Sequence, residues 1–69
     1  MKRDEITRLQ GYLQRKFELP ELEVRPRQKQ DDSAEVYIGG EFIGVLYRDD
    51  DDEDLSYQFQ MAILEMDLD

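Results

Sequence analysis

Two adjacent glycines, Gly39 and Gly40, constrain the fold more than any other feature of this sequence. The segments on either side of them, residues 34–38 and 41–47, are rich in branched and aromatic residues, which favour β-strands. A Gly-Gly pair can adopt the positive φ angles that a tight two-residue hairpin turn requires. The sequence therefore predicts an antiparallel hairpin with its turn at this pair.

An amphipathic helix is predicted over residues 3–17. Its apolar residues recur at spacings of three and four, which places them along one face of a helix. These residues are Ile6, Leu9, Leu13 and Phe17. Asp4 and Glu5 suit the positive N-terminal end of the helix, and Arg15 and Lys16 suit its negative C-terminal end.

The remaining segments predict further strands. Leu22 and Val24 alternate with charged residues, which indicates a short strand that Pro26 ends or confines to a sheet edge. Residues 26–33 are predicted to form a polar loop. Alternation over residues 55–63 predicts a last long strand, after which the apolar phase slips at a bulge or at the start of a free tail. The predicted fold class is α+β: an N-terminal helix packed on a three- to four-stranded antiparallel β-meander, in the order α-β-β-β-β.

The size and composition of the chain limit its chemistry. Its 69 residues predict one small domain, residues 1–69, with a thin core. The absence of cysteine and histidine excludes disulfides, the common zinc sites and histidine-based acid–base catalysis. Ser33 and Ser56 therefore have no histidine to activate them, and the Gly-Gly pair matches no phosphate-binding loop. We expect no enzymatic activity and no cofactor.

Charge and hydropathy limit the partners. The net charge is −9, but residues 1–29 carry eight basic and five acidic side chains, whereas residues 30–69 carry one and thirteen. A mostly acidic body repels phosphate, so we expect no nucleic-acid partner, and a basic protein suits the second half better. The N-terminus has no apolar run after its basic residues, and no segment approaches the roughly 18 apolar residues of a membrane span. We expect no membrane association and a cytoplasmic location.

The hairpin is predicted to have two different apolar faces. With a Gly-Gly turn, Val36 lies opposite Ile43 and Ala34 lies opposite Val45, which gives one face for the helix. The residues of that face are Ala34, Val36, Ile38, Ile43, Val45 and Tyr47. The residues of the opposite face are Tyr37, Phe42 and Leu46. Because one helix cannot cover both sides, the second face predicts a symmetric homodimer, unless the C-terminal tail or the short first strand covers it.

The register of the last strand decides which face its apolar side chains join. An odd number of unpaired residues before it would pair Tyr47 with Leu55 and turn its apolar set toward the helix. An even number would pair Leu46 with Tyr57 and extend the opposite face. We favour the odd number.

Six consecutive carboxylates precede the last predicted strand. They are Asp49, Asp50, Asp51, Asp52, Glu53 and Asp54. The favoured interpretation is a solvated turn whose charges discourage aggregation of the flanking strands. The run could also dock a basic protein. The third interpretation is a weak divalent-cation site. The run lacks the glycine and the terminal glutamate of an EF-hand loop.

These observations together predict a small acidic, non-enzymatic protein-interaction module that self-associates through its sheet. The predicted interaction residues are Tyr37, Phe42, Leu46, Asp49, Asp50, Asp51, Asp52, Glu53 and Asp54. The alternative is a weak divalent-cation-binding domain that acts through residues 49–54. The favoured interpretation assigns no catalytic, cofactor-binding or metal-ligating residue.

Two segments, the opening MKRDEITRLQGYL and the more specific AEVYIGGEFIGVLYRD, carry a resemblance that extends over the whole chain. The sequence resembles a family of short alphaproteobacterial proteins classified as a domain of unknown function. The resemblance implies a bacterial, cytoplasmic protein without an assigned activity. It assigns a role to no individual residue.

Overall fold

The computed structural model describes residues 1–50 and 54–68, and only the backbone of Gln30. Within these residues one α-helix precedes a four-stranded antiparallel sheet whose strands lie in the order β1-β2-β3-β4. The elements are α1 Arg3–Phe17, β1 Leu22–Arg27, β2 Gln30–Ile38, β3 Glu41–Asp49, β4 Ser56–Gln60 and a 3₁₀ turn at Glu65–Leu68. The predicted α+β class and the order α-β-β-β-β are confirmed.

The helix α1 has the predicted bounds, but its sheet-facing side differs from the predicted stripe. Phe17 is 49% exposed. Two glutamines face the edge strand β1 instead. Gln10 accepts a hydrogen bond from the Val24 amide at 3.0 Å, and Gln14 donates one to the Leu22 carbonyl at 2.9 Å. These bonds satisfy backbone groups of an edge strand and hold α1 over β1.

The turn between β2 and β3 is the predicted Gly-Gly hairpin. Gly39 and Gly40 have φ angles of 58° and 81°, as a two-residue turn of this kind requires. The pairing predicted beyond the turn is wrong, because a β-bulge follows the pair of Tyr37 and Phe42. The extra residue is Ile43, and Val36 pairs with the residue after it.

The bulge exchanges the two sides of β3. Ala34 pairs with Leu46 rather than with Val45, so Leu46 points toward the helix and is 2% exposed. The prediction that Leu46 lies on the outer face is therefore wrong. Val45 and Tyr47, predicted to contact the helix, lie on the outer face.

The connection between β3 and β4 has an even number of residues, so the favoured odd number is wrong. Asp49 pairs with Ser56, which leaves residues 50–55 between the strands. Leu46 pairs with Phe59, and both side chains belong to or border the core. The bulge and the even connection each reverse the side of the sheet to which the side chains of β4 point, so their effects cancel. The aromatic side chains of β4 therefore point toward the helix, as the odd connection had predicted.

The segment predicted as a polar loop, residues 26–33, is largely a hairpin. The strand β1 continues to Arg27, residues 28–29 form the turn, and β2 begins at Gln30. Pro26 lies within β1 and pairs with Ala34. Its missing N–H is tolerated because β1 is an edge strand, which was one of the two predicted positions for this proline.

The chain beyond Gln60 leaves the sheet earlier than predicted. Residues 61–64 are irregular, and Glu65–Leu68 form the short 3₁₀ turn. All large apolar side chains of this C-terminal segment are at least half exposed. The exposed fractions are 51% for Met61, 66% for Ile63, 55% for Leu64, 76% for Met66 and 73% for Leu68.

The core lies between α1 and the inner face of the sheet. The buried apolar residues among those described are Ile6, Leu13, Leu22, Val24, Ala34, Val36 and Leu46. This small set agrees with the expectation of a thin core for so short a chain. No helix in residues 1–50 or 54–68 has the length and apolar character that crossing a membrane requires.

Candidate interaction surface

The residues of the predicted interaction surface lie in three different places. Tyr37 and Phe42 are neighbours on the outer face of the sheet. Leu46 belongs to the core. The acidic run begins at Asp49, at the opposite end of β3 from Phe42, about 20 Å away at the rise of a β-strand. Asp51, Asp52 and Glu53 lie outside the described residues, whereas Asp50 and Asp54 are exposed.

The aromatic pair is held by contacts within the sheet. The rings of Tyr37 and Phe42 meet edge to face, with centroids 5.7 Å apart and planes at 72°. The guanidinium of Arg25, from the neighbouring strand β1, lies 4.0 Å from the centre of the Tyr37 ring. This cation–π contact covers one side of the tyrosine. The contact of Arg25 with Tyr37 was not predicted from the sequence, because no register was assigned between β1 and β2.

Charged groups surround Tyr37. Its hydroxyl donates a hydrogen bond to Glu35 at 2.9 Å, which together with burial raises the pKa of the Tyr37 phenol. Arg25 donates a hydrogen bond to Glu23 at 3.0 Å, and this contact raises the pKa of the Arg25 guanidinium. Arg27 lies 4.0 Å from the second oxygen of Glu35. The β1–β2 end of the outer face therefore carries a network of charged side chains that contact one another and Tyr37.

The other end of the outer face is open and is lined by apolar side chains together with Glu41, Gln60 and Asp67. A cleft of about 540 Å³ lies between β3 and the C-terminal segment. We call it the outer cleft, and its large apolar lining residues are Phe42, Ile43, Val45, Tyr47, Met61 and Leu64. Phe42 is 51% exposed and Tyr47 is 39% exposed. The C-terminal segment forms one wall of this cleft without covering it.

A second depression lies on the helix side of the sheet. We call it the helix groove. It has a volume of about 630 Å³ and is lined by Glu5, Thr7, Arg8, Leu9, Gly11, Tyr12, Arg15 and Tyr57. It exists because α1 packs on β1 and leaves part of the inner face near β4 uncovered. No local pattern in the sequence indicates this groove, since its walls come from elements that only the tertiary structure brings together.

The family model described as "Protein of unknown function (DUF3126)" matches residues 5–67. The chain belongs to this family. The predicted membership of a family of unknown function is thereby confirmed. The match runs from the first turn of α1 to the 3₁₀ turn of this DUF3126 member. No curated protein and no solved structure matches the chain.

A cluster of polar side chains closes one end of the helix groove in this DUF3126 member. Glu5 accepts hydrogen bonds from the Tyr57 hydroxyl at 2.6 Å and from the Lys2 amide at 3.1 Å, and Arg48 lies 3.7 Å from the same carboxylate. The bond from Tyr57 is the largest of the causes that lower the pKa of Glu5, and it raises the pKa of Tyr57. We call this cluster the helix clamp, because it fastens the first turn of α1 to β3 and β4.

The described part of the acidic run does not assemble a metal site. In residues 1–50 and 54–68 no group of three or more carboxylates is placed to hold a metal ion. Asp50 lies 3.8 Å from the Nε atom of Arg48, so it interacts with the guanidinium of the helix clamp. The central residues on which the cation-binding alternative depends are outside the described ranges.

Proposed function

We propose that this DUF3126 protein is a non-enzymatic protein-interaction module that self-associates through the outer face of its sheet. The observation that carries the proposal is the outer cleft, where Phe42, Tyr47, Met61 and Leu64 stay 39–55% exposed on one concave surface. Concentrated apolar surface of this kind is typical of association sites in soluble proteins. A chain with so thin a core gains stability by covering it.

The charges of the outer face favour a two-fold arrangement. Arg25 and Arg27 lie on β1, whereas Glu41 and Asp67 border the outer cleft. A two-fold axis that runs parallel to the strands, in the plane between two facing sheets, places β1 of one copy over the cleft of the other, so that unlike charges meet at both ends. The acidic residues 49–54 remain at the periphery, where they can steer a basic partner toward the assembly.

Substitution of Phe42 tests the contact. Half of its side chain is exposed, so covering it contributes on the order of 1 kcal/mol per copy, and about 2 kcal/mol in a symmetric dimer. Phe42→Asp should therefore weaken dimerisation by at least about tenfold, as measured by sedimentation velocity over a range of concentrations.

The matched control is Phe17→Asp. Phe17 is 49% exposed, nearly the same fraction as Phe42, but it lies at the end of α1, away from the outer face. The proposal expects this control to dimerise like the wild type. A wild type that stays monomeric, or a Phe42→Asp variant that dimerises as well as the control, contradicts it.

A further inference from the structure

We propose that the C-terminal segment, residues 61–68, of one copy docks into the helix groove of a second copy. The receptor surface of this contact is the helix groove and not the outer cleft, although the segment also forms one wall of that cleft. The inference does not depend on the function proposed above. Its occupant is fixed by chemistry: an apolar segment with acidic side chains enters an apolar groove with basic edges.

The helix groove supplies the receptor. Leu9, Tyr12 and Tyr57 form its apolar part, and Tyr12 is 52% exposed although it is a large aromatic residue on a packed helix. Arg8 and Arg15 are both exposed and line the groove along the helix. The groove volume of about 630 Å³ falls within the roughly 300–1,000 Å³ typical of clefts that hold ligands.

The C-terminal segment supplies the matching ligand. Its five large apolar side chains are 51–76% exposed, and Glu65 and Asp67 lie between them in sequence. The segment is already folded into a turn, in which the Asp67 amide donates to the Leu64 carbonyl at 2.9 Å and the Leu64 amide donates to the Asp67 carboxylate at 3.1 Å. An ordered turn loses less conformational entropy on binding than a disordered segment.

The position of the segment indicates a second copy as the receptor. In its own chain the segment lines the outer cleft with Phe42 and Tyr47, on the side of the sheet opposite to the helix groove. The strand β4 lies between the two, so a segment leaving β4 is directed away from the groove of its own chain. Reciprocal exchange between two copies fills both grooves under two-fold symmetry.

Charge reversal tests this contact directly. One variant, Arg8→Glu with Arg15→Glu, reverses the charge of the groove. The other, Glu65→Arg with Asp67→Arg, reverses the charge of the segment, and Glu65→Arg alone is the version that keeps the bond from the Leu64 amide to the Asp67 carboxylate. Each protein alone then brings like charges together in both contacts, and we expect about tenfold weaker dimerisation at low salt. In an equimolar mixture every segment can meet a groove of opposite charge. Dimers containing one copy of each variant should therefore re-form at close to wild-type affinity, and native mass spectrometry detects them by their intermediate mass.

The control for the groove reversal carries Lys16→Glu and Lys29→Glu, which make the protein more acidic by the same amount at exposed positions outside the groove lining. It should dimerise like the wild type, and circular dichroism of every variant checks that the fold is retained. Failure of the mixture to restore dimers overturns the inference, as does unchanged dimerisation of either reversed protein. If Phe42→Asp abolishes dimers while the groove reversal does not, the outer-face contact is supported and the segment exchange is wrong. If the groove reversal abolishes dimers while Phe42→Asp does not, only the outer-face contact is rejected.

Discussion

Replacing Glu5 by Gln should weaken the contact between the first turn of α1 and the sheet. The Glu5 side chain is 11% exposed, and its carboxylate receives the hydrogen bond of Tyr57 at 2.6 Å with Arg48 at 3.7 Å. Hydrogen bonds to a charged group contribute roughly 1.5–3 kcal/mol to stability. We expect the free energy of unfolding to fall by about 2 kcal/mol, which for a domain of this size lowers the melting temperature by about 8–16 °C.

The effect of Glu5→Gln should depend on pH with a definite sign. The Tyr57 hydroxyl, followed by the Lys2 amide, holds the pKa of Glu5 below 4.5 in the folded protein. Because the unfolded state then binds the proton more readily, the carboxylate contributes its full stability above pH 4.5 and loses it as the pH falls through the lower folded pKa. The difference in unfolding free energy between wild type and Glu5→Gln should be constant near neutral pH and shrink below 4.5.

Urea unfolding followed by circular dichroism, at a series of pH values, measures this difference. Asp4→Asn is the matched control, because Asp4 lies in the same first turn and shares only the helix-dipole contribution of about 0.5 kcal/mol. Tyr57→Phe should cost less in the Glu5→Gln background than in the wild type. A control that costs as much as Glu5→Gln, or a difference that persists undiminished to about pH 3, would refute the reasoning.

Three other substitutions give measurable outcomes in the same unfolding assay. Gly44→Ala should destabilise by about 1–3 kcal/mol, because a Cβ at Gly44 would lie 2.5 Å from a backbone oxygen of β4. Gly11→Ala should be neutral or stabilise by up to about 1 kcal/mol, since the added Cβ meets only a movable arginine side chain at 3.3 Å and alanine favours the helix. Leu46→Ala should cost about 2–5 kcal/mol, because Leu46 is 2% exposed, whereas Phe42→Ala should cost less than half as much; equal costs for these two would contradict the placement of Leu46 in the core.

Local signals in the sequence predicted the elements that depend on neighbouring residues. The helix bounds follow from an apolar period and end charges within one segment, and the Gly39-Gly40 turn follows from the φ angles of two residues. The pairing of Tyr37 with Phe42 was also predictable, because it lies next to that turn. Each of these inferences spans only a few residues.

The bulge at Ile43 could not be predicted in the same way, because isoleucine is common in regular strands and gives no local signal of a bulge. Its cause lies in the tertiary structure: the bulge turns Gly44 toward the helix side, where the Phe59 ring lies 2.8 Å from the position of a Cβ. The choice of Gln10 and Gln14 over Phe17 as sheet-facing residues likewise depends on unpaired backbone groups of β1. The periodicity of apolar residues carries no information about unpaired backbone groups on a neighbouring strand.

The residues of the candidate surface show the same difference between local signals and tertiary structure. Tyr37 and Phe42 were found from the sequence, whereas Leu46 was misplaced by the bulge. The contact of Arg25 with Tyr37 was not predicted because it crosses from β1 to β2. The helix groove was missed because it depends on where α1 rests on the sheet.

The bulge in β3 and the six-residue connection to β4 each shift the alternation of side chains by one residue, and the two shifts compensate each other. Adding or removing one residue in positions 50–55 would turn Tyr57 and Phe59 away from the helix, whereas a change of two residues would return them. The acidic segment can therefore vary widely in its amino acids, but the parity of its length is fixed by the core on which β4 rests.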